Sequence, residues 1–284
     1  MKVMIVNIDK FKNFALEKIK IYHKNNGDEI FDEFPLLAHT MDKIYVSCIF
    51  DFNRYLVEEW EGHKNVVMGG TGINIKTKLP KEIETIKPRL NYGFTQRGCI
   101  RKCPFCVVHK KEKFEAVGDL LDLWDGKSKE IELYDNNILA MPEQFFKITQ
   151  QAIDNKIKID FNQGMDIRLL NIDFAKRMKE TALKTERFAF DNILYKDKVL
   201  NGIELMKSVY GKNWRGFWYV YTDGNFDDVM ERLNILKKNG QKAYLMRDIK
   251  CKKRSDMIKL AQWVNGIYGQ FFLYDFDKYE RKYK

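Results

Sequence analysis

Gly93-Phe94-Thr95-Gln96-Arg97-Gly98-Cys99-Ile100-Arg101-Lys102-Cys103-Pro104-Phe105-Cys106 places three cysteines within eight residues, spaced C-x3-C-x2-C, with an aromatic just before the last. The number three matters most. A zinc site closed by protein takes four ligands, and thiolates that hold a four-iron cube usually come in fours as well. Three thiolates around such a cube leave one iron open, and an open iron can bind a small molecule through nitrogen and oxygen. His109 lies three residues further on, so zinc held by Cys99, Cys103, Cys106 and His109 is the alternative that the spacing leaves standing.

The flanks add weight to the cluster. Residues 90–95 read as a strand, Arg97-Gly98 as a turn, and the apolar positions from Ala116 through Val117, Leu120, Leu121 and Leu123 to Trp124 as a helix. A C-x3-C-x2-C loop between a strand and a helix resembles the opening of the radical S-adenosylmethionine (radical SAM) superfamily, and the resemblance covers about residues 89–250. It implies a [4Fe-4S] cluster on Cys99, Cys103 and Cys106, with SAM chelated to the open iron through its amino and carboxylate groups. One electron from the reduced cluster then cleaves the sulfonium, and the resulting deoxyadenosyl radical takes hydrogen from a substrate. The cofactors carry the hard chemistry while the protein aims it and keeps water out. A flavodoxin- or ferredoxin-like electron donor is implied too.

From residue 89 onward strand and helix patterns alternate for six rounds. Strands are expected at 130–134, 157–162, 187–190, 216–221 and 242–247. Helices are expected at 142–155, 172–183, 197–210, 227–239 and 256–266. This periodicity predicts an α/β fold with a partial (β/α)6 TIM-like barrel over 89–284, C-terminal extension included, open at six strands. Residues 1–75 predict a small Rossmann-like α/β domain, with strands at 2–7, 43–50 and 65–70 and helices at 14–23 and 55–62. Residues 76–88, with four Lys and two Pro, read as a linker. Gly69-Gly70-Thr71-Gly72 lacks both G-x-G-x-x-G spacing and the lysine of a phosphate loop, and reads as a tight strand-end turn.

A Rossmann-like domain ahead of the cysteine loop resembles the cobalamin-binding domain of B12-dependent radical SAM enzymes. The D-x-H-x-x-G motif is missing, since Lys10, Phe11 and Lys12 follow Asp9. A degenerate domain without cobalamin is therefore expected.

Chemistry in parallel β/α folds collects at the carboxyl ends of strands. The resemblance places Phe105 by the adenine, and at the end of the second barrel strand it places Asp135 and Asn136 where SAM's ammonium is received. Asp135 also suits a helix cap ahead of Pro142. Arg168, after Asn162, Gln163 and Asp166, can pair with a carboxylate of SAM or substrate, or simply bridge to Asp166. Asp191 and Asn192 end the fourth strand, where the family contacts ribose. Thr222 with Asp223 and Arg247 with Asp248 complete the rim as candidate cofactor contacts or loop caps.

Charge narrows the choice of substrate. Residues 1–88 carry 13 basic and 13 acidic side chains, so the whole net charge of +10 comes from residues 89–284, with 37 against 27. Arg97, Arg101, Lys102, Lys110, Lys111 and Lys113 lie around the cysteine loop, and a second basic run spans Lys237 to Arg254. Such a rim suits a polyanion such as nucleic acid, and equally a solvated lysine-rich surface. Nucleic acid or a nucleotide is thus one substrate class, and a peptide or small metabolite is the other. No apolar run reaches the roughly eighteen residues of a membrane span, and the start is too short for a signal peptide. Five cysteines, three of them clustered, suit a reducing compartment, so a cytoplasmic protein with no membrane contact is expected. Two other functions stay open: a zinc-stabilised nucleic-acid-binding module, and a catalytically inactive radical SAM-like partner subunit.

Overall fold

The structure, a computed structural model, describes residues 1–266 and 269–280. The chain forms two compact units, residues 1–92 with 122–125, and residues 93–121 with 126–284. The last four residues of the stretch expected as barrel and extension lie outside the described residues.

The first unit is built on four parallel strands, β1 (Lys2–Asn7), β2 (Glu29–Asp32), β3 (Lys43–Ser47) and β4 (Val66–Gly69), in the order β2-β1-β3-β4. Side chains alternate across a strand, and here both faces are covered. Met4 and Val6 pack with Ile44, Val46 and Trp60 on one face. Val3 and Ile5 pack with Leu16, Ile19 and Tyr45 on the other. Burial on both sides is why β1 reads as an unbroken apolar run. Helix α1 (Phe14–Asn25) starts at Asn13, whose side chain accepts the Leu16 amide at 3.2 Å.

The sequence missed β2, a four-residue strand whose ends are exposed and whose pattern is too short to register. Residues 51–60 form a 3-10 helix where a helix was expected at 55–62. Residues 76–88 do not run free as a linker: they carry the short helix α2 (Lys81–Glu84), and Ile83 is buried in the Val3 cluster. Gly69-Gly70-Thr71-Gly72 is a tight turn. Gly70 has φ +100, and a Cβ there would lie 2.2 Å from the Cys48 carbonyl. Asp9 is buried and accepts from the Phe50 amide and Asn53, which ties down the loop after β3.

In the second unit the cysteine loop is framed differently from expectation. Only β5 (Tyr92–Gly93) is strand within 90–95. Then β6 (Gln96–Arg97) pairs antiparallel with β7 (Glu115–Ala116), closing the loop as a hairpin that contains α3 (Val108–Lys111). Ala116 is thus strand rather than the start of a helix, and the helix shrinks to α4 (Leu120–Leu123). Gln144 takes the carbonyls of Thr95 and Gly118, which holds residue 118 out of any helix.

The rest follows the alternation closely. Strands β8 (Glu130–Leu133), β9 (Lys158–Phe161), β10 (Arg187–Ala189), β11 (Phe217–Thr222) and β12 (Lys242–Arg247) are separated by α5 (Pro142–Asp154), α6 (Ile172–Thr181), α7 (Lys196–Tyr210) and α8 (Phe226–Lys238). After β12 come α9 (Ser255–Asn265) and α10 (Gln270–Leu273). The strands form two three-stranded sheets, β5-β8-β9 and β10-β11-β12. One parallel bridge between Met165 and Phe188 joins the segment after β9 to β10. Pairing is parallel for β8 with β9, for β10 with β11 and for β11 with β12, so the carboxyl ends of paired strands lie on one side. The fold is α/β with parallel sheets. No helix among the described residues is long and apolar enough to cross a membrane.

Candidate functional site

The three thiols sit on an irregular loop with little regular structure of its own. Gly98 opens it with φ +72, and a Cβ there would meet the Lys113 carbonyl at 2.5 Å, so only glycine lets the two arms of the hairpin approach so closely. Glu112 braces the loop by taking Arg97 Nη1 at 2.7 Å and the Gly98 amide at 3.3 Å. Arg97 also lies over the Phe94 ring at 3.6 Å.

Cys99, Cys103 and Cys106 are partly exposed and none is disulfide-bonded, whereas Cys48 and Cys251 are buried. Burial raises the Cys103 thiol, and Asp191 and the neighbouring loop thiols raise it further, against the pull of Arg168. Among the described residues no three Cys, His, Asp or Glu side chains are already drawn together as a metal site. The donor set still fits a three-thiolate cluster in chemistry. Cys99 Sγ accepts the Arg101 amide at 3.3 Å and Asn137 Nδ2 at 3.8 Å, and two N–H donors aimed at one sulfur suit a thiolate. His109, on α3, has Nδ1 buried without a hydrogen-bond partner.

Beside this loop the strand ends supply a polar cluster. Asp166 caps a short turn through the Arg168 amide and takes Arg168 Nε at 2.7 Å and Nη2 at 2.8 Å. It also takes Arg101 Nε at 2.7 Å. Burial alone would raise Asp166, but the hydrogen bonds from Arg168 and Arg101 outweigh it and hold the carboxyl below its ordinary range. Arg168 is fixed further by Tyr195, whose ring lies 4.0 Å from the guanidinium carbon. Asp191 is pushed up by burial, partly offset by the Tyr221 amide, Arg232 and Arg168. Tyr221 carries Phe105 stacked on its ring and donates its hydroxyl to Asp248 at 2.6 Å.

Arg232 clamps the ends of β10 and β11. It is buried and donates to the carbonyls of Phe190 at 2.7 Å and Tyr221 at 3.0 Å, with Asp228 as its counter-charge. Those bonds fix the two strand ends from which Asp191 and Tyr221 project.

The remaining expected site residues are engaged locally. Asp135 is buried and accepts from the Thr95 amide at 2.7 Å, the Gln96 amide at 3.1 Å and the Thr95 hydroxyl. Burial pushes its carboxyl up to about 6, against the lowering effect of those hydrogen bonds. It ties the strand end to the cysteine loop's first turn and caps no helix. Asn136 points to Glu112 at 3.4 Å. Asn192 is exposed and caps a turn through the Leu194 amide. Thr222 is buried with its hydroxyl on the Gly224 amide, and Arg247 donates to the Lys252 carbonyl.

Hydrogen bonds and ring stacking link Cys99, Phe105, Arg168 and Asp191 to Asn137, to Arg101, which the sequence placed only in a basic rim, and to Tyr221, which it placed in the barrel core. Asn137 had a signal: asparagine just past a strand end suits the left-handed conformation, which it adopts at φ 52. The pairings of Arg101 with Asp166 and of Tyr221 with Asp248 had none, because the partners lie 65 and 27 residues away. No protein-family model matches the chain, and no curated protein matches it.

Proposed function

We propose that this chain is a radical SAM enzyme whose second unit is an open six-stranded β/α barrel. Cys99, Cys103 and Cys106 would hold a [4Fe-4S] cluster, which supplies the electron for reductive cleavage of SAM to a radical that abstracts hydrogen from the substrate. The observation that carries this reading is three unpaired thiols on one loop, beside an ordered Arg101–Asp166–Arg168 cluster and an aromatic pair at the strand ends. The residues divide the work as their chemistry suggests. Arg168, pinned by Asp166 and Tyr195, offers a fixed cation for a carboxylate. Phe105 offers the face of a ring to a base, and Asp191 offers a carboxylate to hydroxyl or ammonium groups. The electron would come from a flavodoxin- or ferredoxin-like donor. Exposed Lys102 and Lys110 on the cysteine loop, with Lys250 and Lys253 after β12, favour nucleic acid or a nucleotide as the substrate class.

Anaerobic reconstitution tests the proposal, with iron and sulfide measured first and 5′-deoxyadenosine measured after adding dithionite and SAM. About four irons per chain together with the nucleoside supports it. Iron without cleavage favours an inactive partner subunit. The orphaned Nδ1 of His109 favours the second reading, a zinc-stabilised module, and zinc bound in place of iron would establish that one instead.

A further inference from the structure

Asn137 touches both the cysteine loop and the Asp166 cluster through the two ends of a single amide. It is buried, and its backbone is left-handed at φ 52 and ψ 58, so its side chain leaves the strand end in a direction that few residues can copy. Oδ1 accepts the Asp166 amide at 3.0 Å. A backbone N–H can only donate, so the amide must face it with oxygen, and Nδ2 is left facing Cys99 Sγ at 3.8 Å. The orientation of the amide thus follows from its partners. Asp166 is itself immobilised by Arg101 and Arg168, so the N–H that meets the sulfur sits on a rigid support.

We infer that Asn137 is a positioning residue that sets the place and the reduction potential of the cluster ligand Cys99. The inference rests on the cluster reading above. An N–H donated to a ligating sulfur stabilises the more negative, reduced form and raises the potential, which is how neighbouring residues tune such centres. The Arg101 amide supplies one such bond to Cys99 and Asn137 the second. Through Asp166, the same side chain holds Cys99 in register with Arg168.

The test is a potentiometric titration of the reconstituted full chain, followed by electron paramagnetic resonance, on wild type, N137D and N137G. N137D keeps an acceptor for the Asp166 amide and removes the donor but adds a negative charge that itself disfavours reduction, whereas N137G keeps the left-handed backbone and removes both bonds without adding charge, so the N137G midpoint decides. Both variants should fold, by thermal melting, and be harder to reduce. Loss of the donor should shift the one-electron equilibrium by roughly tenfold, which is about 59 mV more negative. Loss of iron from folded variants would also support a role in placing Cys99. Midpoints equal to wild type at full iron content would overturn the inference while leaving the cluster reading intact. A wild-type chain that takes up no iron would overturn both.

Discussion

The ring of Phe105 lies nearly flat on that of Tyr221, with centroids 3.9 Å apart and planes 17° apart. The cysteine loop is thereby fastened to the end of β11, and Tyr221 is in turn held by Asp248. An aromatic pair contributes about 0.5–1.5 kcal/mol beyond the area it buries. F105A should therefore loosen the loop and, on the radical SAM reading, weaken SAM binding to the reconstituted protein by up to about tenfold, as measured calorimetrically. Y221F keeps the stacking and should change affinity far less.

The five cysteines should divide cleanly. On the cluster reading, replacing Cys99, Cys103 or Cys106 with alanine should abolish iron retention. C48A and C251A remove thiols that are buried in other surroundings, where Cys251 donates to the carbonyls of Thr222 and Asp248, and should leave iron content unchanged. Iron per folded chain after desalting decides between these outcomes.

Two aspartates should shape stability against pH in opposite directions. Asp135 is raised from 3.8 to about 6, so its contribution is greatest below 3.8 and is lost as pH climbs towards about 6. Asp166 is lowered, so its contribution is present above 3.8 and is lost as pH falls through its depressed value. D135N should remove the decline across the first window. D166N should lower stability at neutral pH and flatten the acid limb. Urea midpoints taken across pH would reveal either change.

Arg232 offers a mechanical test of how the strand ends are held. Its guanidinium is buried against two carbonyls and Asp228, so R232M leaves those acceptors unpaired and should cost about 3 kcal/mol in a denaturant titration. Asp191 hydrogen-bonds the Tyr221 amide at 3.0 Å, next to the carbonyls that Arg232 holds. The variant should therefore also disturb SAM binding in whatever fraction remains folded.

How much of this was legible in sequence depended on the range of the interaction that decides each feature. Helices α5 to α9 match their expected spans within two residues, because apolar spacing fixes the face and Asn171 and Asn225 cap α6 and α8 locally. The region around the cysteines was less legible. The antiparallel pairing of Gln96 with Ala116 and the capture of Gly118 by Gln144 are tertiary events, and they override the helical pattern of residues 116–124. The same is true of the site. Arg168 and Asp166 are two residues apart and could be paired by eye, whereas Asp135, read as an ammonium acceptor or a helix cap, accepts from a segment 40 residues earlier.

The basic rim yields a prediction that separates nucleic acid from small substrates. Lys102 belongs to the cysteine loop, and Lys250 and Lys253 follow Asp248, whose carboxylate holds Tyr221 beneath Phe105. The three lysines are exposed on segments that the Phe105–Tyr221–Asp248 contacts link, although they are far apart in sequence. If the substrate is single-stranded nucleic acid, each lysine that meets a phosphate releases counterions and adds roughly 0.7 to the slope of log affinity against log salt. Replacing all three with alanine should then cut the slope by roughly two and weaken binding at low salt, with the melting temperature unchanged, because exposed lysines contribute little to the fold. Binding of an RNA or DNA strand that ignores both salt and these substitutions would remove the rim from recognition and direct the substrate search to small molecules and peptides.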